Sequence, residues 1–85
     1  MDAYEIARRA SLLPGLFAAR IPAETLEGLR LMEEGGEYGE LTIELTATLA
    51  KTGASASLAE QQELRALLEA THMPTEPAEQ LEVHG

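Results

Sequence analysis

The chain has 85 residues and a formal net charge of −9, from fifteen acidic against six basic residues, and it contains no cysteine. That length fits one domain with one modest core and leaves no room for a deep cofactor cavity. The charge repels nucleic-acid phosphates and argues against direct DNA or RNA binding. The missing cysteine excludes disulfides, thiolate metal sites and a cysteine nucleophile.

Apolar residues make up 45% of the chain. Most are Leu and Ala, which favour helix, and the β-favouring Val and Phe occur once each. No apolar run approaches the roughly 20 residues that span a bilayer. The start, Met1-Asp2-Ala3-Tyr4-Glu5, is acidic where a signal peptide is basic. A soluble cytoplasmic protein with no membrane association is expected.

The first helix is expected from Asp2 to Leu13. Asp2 suits the N-cap, with Glu5 three residues on. Ile6, Ala10 and Leu13 give it one apolar face, and Pro14-Gly15 should stop it. The short stretch from Leu16 to Ile21 reads as a helical turn or an extended connector, with Leu16, Phe17 and Ile21 anchoring the core. A second helix should begin at Pro22, which is favoured in a first turn. Glu24 and Glu27 lie in its early turns, near the positive end of the helix dipole. Gly35-Gly36 should end it by supplying a left-handed residue.

Residues 41–49 read two ways. Leu41, Ile43, Leu45, Ala47 and Leu49 alternate with polar residues as in a strand. Tyr38, Leu41, Leu45 and Leu49 also keep helical spacing. Helix is favoured because the sequence offers no partner strand, and an isolated strand leaves its backbone unsatisfied. Lys51 and Gly53 then suit the helix end. Ser57-Leu58-Ala59-Glu60 is a capping box that opens a final helix to about His72, with Leu64, Leu67, Leu68 and Thr71 on its inner face. From Pro74 onward, two prolines and three glutamates accompany only two large apolar residues. The expected fold is therefore all-α: a bundle of three to four helices over residues 1–73 and a mobile acidic tail over 74–85.

Charge is uneven along this chain. Residues 1–20 hold Asp2 and Glu5 against Arg8, Arg9 and Arg20, a balance of +1. Residues 24–44 hold seven acids against Arg30, a balance of −6. Solubility alone does not require such a bias. The densest part is Glu33, Glu34, Glu37, Glu40 and Glu44 around Tyr38, and these six are the candidate partner-binding residues. A solvated acidic face competes with that reading. Tyr38 is either a core-edge aromatic or an interface anchor, and the two roles are compatible.

No catalytic residue, metal ligand or cofactor is assigned. The acids lack Glu-x-x-His spacing, with His72 and His84 far away in sequence. Ser11, Ser55 and Ser57 have no base nearby in sequence, and Ser57 is explained by capping. The glycines at 35, 36 and 39 lack the Lys-Ser or Lys-Thr of a phosphate loop.

The run Met32-Glu33-Glu34-Gly35-Gly36-Glu37-Tyr38-Gly39-Glu40-Leu41, then Glu44-Leu45 and Leu49, then Ser57-Leu58-Ala59-Glu60 and Leu64-Arg65-Ala66-Leu67-Leu68, resembles the small helical immunity proteins of bacterial polymorphic-toxin systems. The likeness is to the Maf-type family in particular, over roughly residues 26–73. The resemblance implies a cytoplasmic antidote, not an enzyme, that binds and neutralises a cognate secreted toxin, often a nuclease. The basic site of a nuclease is a physically suitable partner for an acidic helical surface. When free, such a chain would be a monomer or weak dimer. The alternative is a non-catalytic regulatory or scaffolding module that self-associates through exposed Leu and Met.

Overall fold

Asp2 starts the first helix as its N-cap, its carboxylate accepting the Glu5 N–H at 2.8 Å. The computed structural model describes residues 1–84. Helix α1 spans Ala3–Ser11. The chain turns at Leu12 and immediately re-enters a short helix, α2, over Leu13–Phe17. Pro14 was expected to end a helix and instead stands in the first turn of the next one, where its missing N–H costs nothing. The new helical phase turns Leu13, Pro14 and Phe17 inward. Leu16, expected as a core anchor, is left 53% exposed. A 3₁₀ turn, Ala18–Arg20, leads to Ile21, which packs on the core edge.

Helix α3, Ala23–Glu34, follows Pro22 as N-cap. It ends at Gly35, and Gly36 takes the left-handed backbone at φ 71°. Helix α4, Tyr38–Thr52, covers the stretch with the double reading. Its core face is Leu41, Leu45 and Leu49, flanked by buried Thr42 and Thr46. Burying a hydroxyl is tolerable only if it is bonded. Thr42 donates to the Tyr38 carbonyl and Thr46 to the Thr42 carbonyl, each at 2.7 Å. Ala47, inward in a strand reading, is exposed. Gly53 closes α4 at φ 73°.

Helix α5, Leu58–Ala70, opens with the full capping box. Glu60 N–H donates to Ser57 Oγ at 3.0 Å and Ser57 N–H to Glu60 Oε1 at 2.9 Å. Leu64, Leu67 and Leu68 are its buried face.

Two departures from an all-α bundle lie in and beside the C-terminal segment. Residues expected to form a mobile tail pack back over 74–84, and Gly85 falls outside the described residues. A single helical turn, α6 (Glu76–Glu79), buries Ala78, and Leu81 enters the core 7% exposed. Strand β2 (Glu82–His84) then pairs in parallel with strand β1 (Ser55–Ser57), Ser55 opposite Glu82 and Ser57 opposite His84. Parallel pairing requires a long crossover, and α5 with α6 provides it. The sequence argument that no strand pair exists thus held for residues 41–49 but not for these three-residue strands.

Helix α4 is the hub, packed against α1, α3, α5 and α6. The radius of gyration is 11.5 Å, close to the ~12 Å of a compact chain this long. Among the described residues, no buried side-chain nitrogen or oxygen lacks a hydrogen-bond partner. None of the described helices is long and apolar enough to cross a membrane.

Candidate functional site: the acidic helical hairpin

The six candidate residues lie on one supersecondary unit, the α3–α4 hairpin. Glu33 and Glu34 end α3, Glu37 sits in the connecting turn, and Tyr38, Glu40 and Glu44 lie on α4. The turn is tight because Gly36 accepts a left-handed backbone. Glu37 N–H then reaches the Met32 carbonyl at 2.9 Å and Gly36 N–H the Glu33 carbonyl at 3.1 Å. One turn later Leu41 N–H bonds the Glu37 carbonyl at 2.9 Å, and α4 is under way.

Glu34, Glu37, Glu40 and Glu44 are exposed and, among the described residues, make no ion pair. Glu33 is half-buried, with Arg30 Nη1 at 3.7 Å, a loose surface contact. Tyr38 is half-buried and packs on the core cluster, which is the core-edge role; its partly open ring leaves the anchor role available.

Local stability explains some of these acids and not others. Glu37 and Glu40 stand at the N-terminal end of α4, where the helix dipole favours negative charge. Glu33 and Glu34 stand in the last turn of α3, where that dipole disfavours it and where no basic residue is present.

The basic side chains are engaged elsewhere. Arg9 of α1 crosses to α5, where its Nε donates to Glu63 Oε2 at 2.8 Å and its Nη2 to Glu63 Oε1, while its Nη1 meets Glu5 at 2.9 Å. These bonds, Glu63 foremost, raise the Arg9 pKa further, and the Arg9 guanidinium holds Glu63 below the usual carboxylate range. Arg20 grips Glu60 with two bonds of 2.8 and 2.9 Å and stacks 4.3 Å above the Phe17 ring. That bond to Arg20, aided by the Ser57 N–H, holds Glu60 at about 2. Arg65 lies 3.4 Å from Glu79. Arg8 and Lys51 take part in none of the ion pairs among the described residues. The fold therefore uses its strongest cationic contacts to clamp α1 and the 3₁₀ turn onto α5, and the α3–α4 hairpin keeps most of its negative charge uncompensated.

Two shallow grooves flank these elements. One, about 360 Å³, lies between the start of α3 and the end of α4, with Pro22, Thr25, Glu44, Ala47 and Lys51 in its walls. Of the six candidates it includes only Glu44. The other, about 350 Å³, lies between α5 and α6 along Leu58, Gln61, Arg65 and Glu79. Sequence reading missed one contact at the hairpin. A Cβ on Gly39 would lie 3.0 Å from both Met73 Cε and Thr71 Cβ, so the start of α4 touches the end of α5 through a glycine. The only sequence signal was that glycine between Tyr38 and Glu40. What the hairpin offers chemically is a concentrated negative field on a rigid helical frame. Comparison with protein-family models, curated proteins and solved structures finds no match to this chain.

Proposed function

We propose that this chain is an immunity protein that binds and neutralises a cognate secreted bacterial toxin in the cytoplasm. The partner is a basic, nuclease-like domain, and the contact surface is the acidic face of the α3–α4 hairpin. The observation that carries the reading is the charge partition: Arg9 and Arg20 are bound to α5, while Glu34, Glu37, Glu40 and Glu44 stand exposed with no ion-pair partner among the described residues. Glu33 and Glu34 add to it, because helix stability does not call for acids at that end of α3. A field of this kind speeds encounter with a basic partner and rejects acidic ones.

The test is co-expression with the neighbouring reading frame, the tag on that partner only. A one-to-one complex and rescue of cells from the partner's toxicity are expected. Changing Glu34, Glu37, Glu40 and Glu44 together to Gln should slow association about tenfold or more at low salt. Undiminished association at low salt would show that another face binds. No complex and no toxicity would defeat the immunity reading. The exposed Leu12, Leu16 and Leu31 favour a second reading, a self-associating scaffold module, which predicts a stable homodimer by light scattering and no affinity for basic proteins.

A further inference from the structure

Helices α3, α4 and α5 leave their last turns in the same way, each through a residue with left-handed backbone: Gly36, Gly53 and His72 at φ 71°, 73° and 60°. The end of α5 makes both bonds of the Schellman turn. Met73 N–H donates to the Leu68 carbonyl at 2.8 Å and His72 N–H to the Glu69 carbonyl at 3.2 Å. Glycine takes this backbone freely, whereas a side chain is strained in it. Among the described residues, His72 is the only non-glycine with positive φ. Pro74 follows two residues on and disfavours helix at Met73. The chain is thus bent back sharply at a strained hinge.

That hinge holds a separable arm, residues 75–84. Ala78 and Leu81 enter the core, Gln61 Nε2 donates to the Ala78 carbonyl at 2.8 Å, and β2 lies along β1. The surfaces that receive the arm belong to α4, α5 and β1. The same contacts form whether the arm comes from its own chain or from a second copy.

We propose that this arm exchanges between two copies of the chain, giving a domain-swapped dimer in which each arm fills the α4–α5–β1 site of the other copy. The docked contacts are identical in the closed and exchanged forms, so the hinge and the encounter set the balance. Extending the hinge releases the strain at His72 and favours exchange. Lost translational freedom and repulsion between two copies of charge −9 oppose it. The dimer therefore gains with both protein concentration and salt. A complex with a basic partner would weaken with salt, so the inference is independent of the immunity reading and distinguishable from it. Opening the hinge also withdraws Met73 from Gly39, while Thr71 stays with α5, so exchange is felt at the start of α4, beside Glu37 and Glu40.

The experiment is size-exclusion chromatography with light scattering on the full chain, after brief partial denaturation and return to native buffer. Protein at about 1 mM lets docking between chains compete with docking within one. Salt at about 0.05 and 0.5 M sets the screening. A species of twice 9.2 kDa is expected, more abundant at high salt and slow to revert on dilution. His72→Gly relieves both hinges and should lower the association constant about tenfold or more. The double variant Ser55→Cys/Glu82→Cys puts thiols at facing positions of the strand pair in a chain with no other cysteine. Oxidation of its dimer fraction should give a reducible covalent dimer without free thiol. No dimer under any of these conditions, or a dimer whose oxidised links close within each chain, overturns arm exchange. A dimer as abundant with His72→Gly as without it overturns the hinge argument on which the proposal rests.

Discussion

Replacing Glu60 by Gln separates two jobs that one side chain performs. Glu60 completes the capping box with Ser57 and also receives the two-bond grip of Arg20. Gln serves equally at that capping position, so the substitution removes the charge and spares the cap. The Arg20 bond holds Glu60 at about 2, against an ordinary value of 4.5. Taken at face value, that difference is about 3 kcal/mol of stability at neutral pH. The side chains of Arg20 and Glu60 are 29% and 19% exposed, and partial solvation screens the pair, so a loss of about 1–2 kcal/mol is expected. The sign over pH follows from the lowered value. The contribution is complete above the ordinary 4.5 and is lost as pH falls from there toward about 2. Urea denaturation of both proteins between roughly pH 2 and 7 measures it, and other acids cancel to first order in the difference. The gap between the two proteins should be constant above about pH 5 and close toward pH 2. A gap that stays open at the acid end, or none at neutral pH, would refute the assignment of this ion pair as the α5 clamp.

Two glycines in helices should respond in opposite directions. Gly28→Ala, with open space around it, should stabilise by about 1 kcal/mol through helix propensity. Gly39→Ala should destabilise by about 1–2 kcal/mol, because its Cβ meets Thr71 and Met73 at 3.0 Å; denaturant midpoints decide both, and a stabilised Gly39→Ala would deny the close approach. Leu81→Ala should cost about 2 kcal/mol, the low end for a buried leucine near the surface. A change near zero on chemical denaturation would mean that residues 74–84 do not dock as described.

What the sequence disclosed was local. The Ser57–Glu60 box and the glycine stops at Gly35-Gly36 and Gly53 are readable because each signal lies within one turn of the structure it makes. The Pro14 misreading is also local but ambiguous: a proline ends one helix by the same sterics that let it begin another. The phase of the following residues, with Phe17 in and Leu16 out, depended on that choice. The packed C-terminal segment was hidden for a different reason. Strands of three residues carry no periodic signal, and the pairing of Ser55 with Glu82 closes a loop of 27 residues through α5 and α6. Its composition, with Pro74, Pro77 and three glutamates, imitates a disordered tail, and only Ala78 and Leu81 mark it as docked. The candidate hairpin was legible as a set because its six residues are neighbours in sequence and the glycine turn keeps them so.

The cation partners could not be read in advance, and they change what the acidic stretch means. Arg9 and Glu63 are 54 positions apart, and Arg20 and Glu60 are 40 apart. Before folding, six basic residues could have neutralised any of fifteen acids. The fold instead binds Arg9 and Arg20 to Glu63 and Glu60, two acids one turn apart on α5 and outside the α3–α4 hairpin. The pairing is stabilising where it occurs, and through what it withholds it leaves the hairpin with two basic residues, Arg30, loosely paired to Glu33, and Lys51 in the last turn of α4, far from the connecting turn. A protein under selection for stability alone would gain from a cation near the α3 terminus, where the helix dipole and two carboxylates all favour one. The last turn of α3 holds none, and Arg30 one turn earlier is only loosely paired to Glu33; that shortfall is what supports the proposal of a partner that brings the positive charge itself.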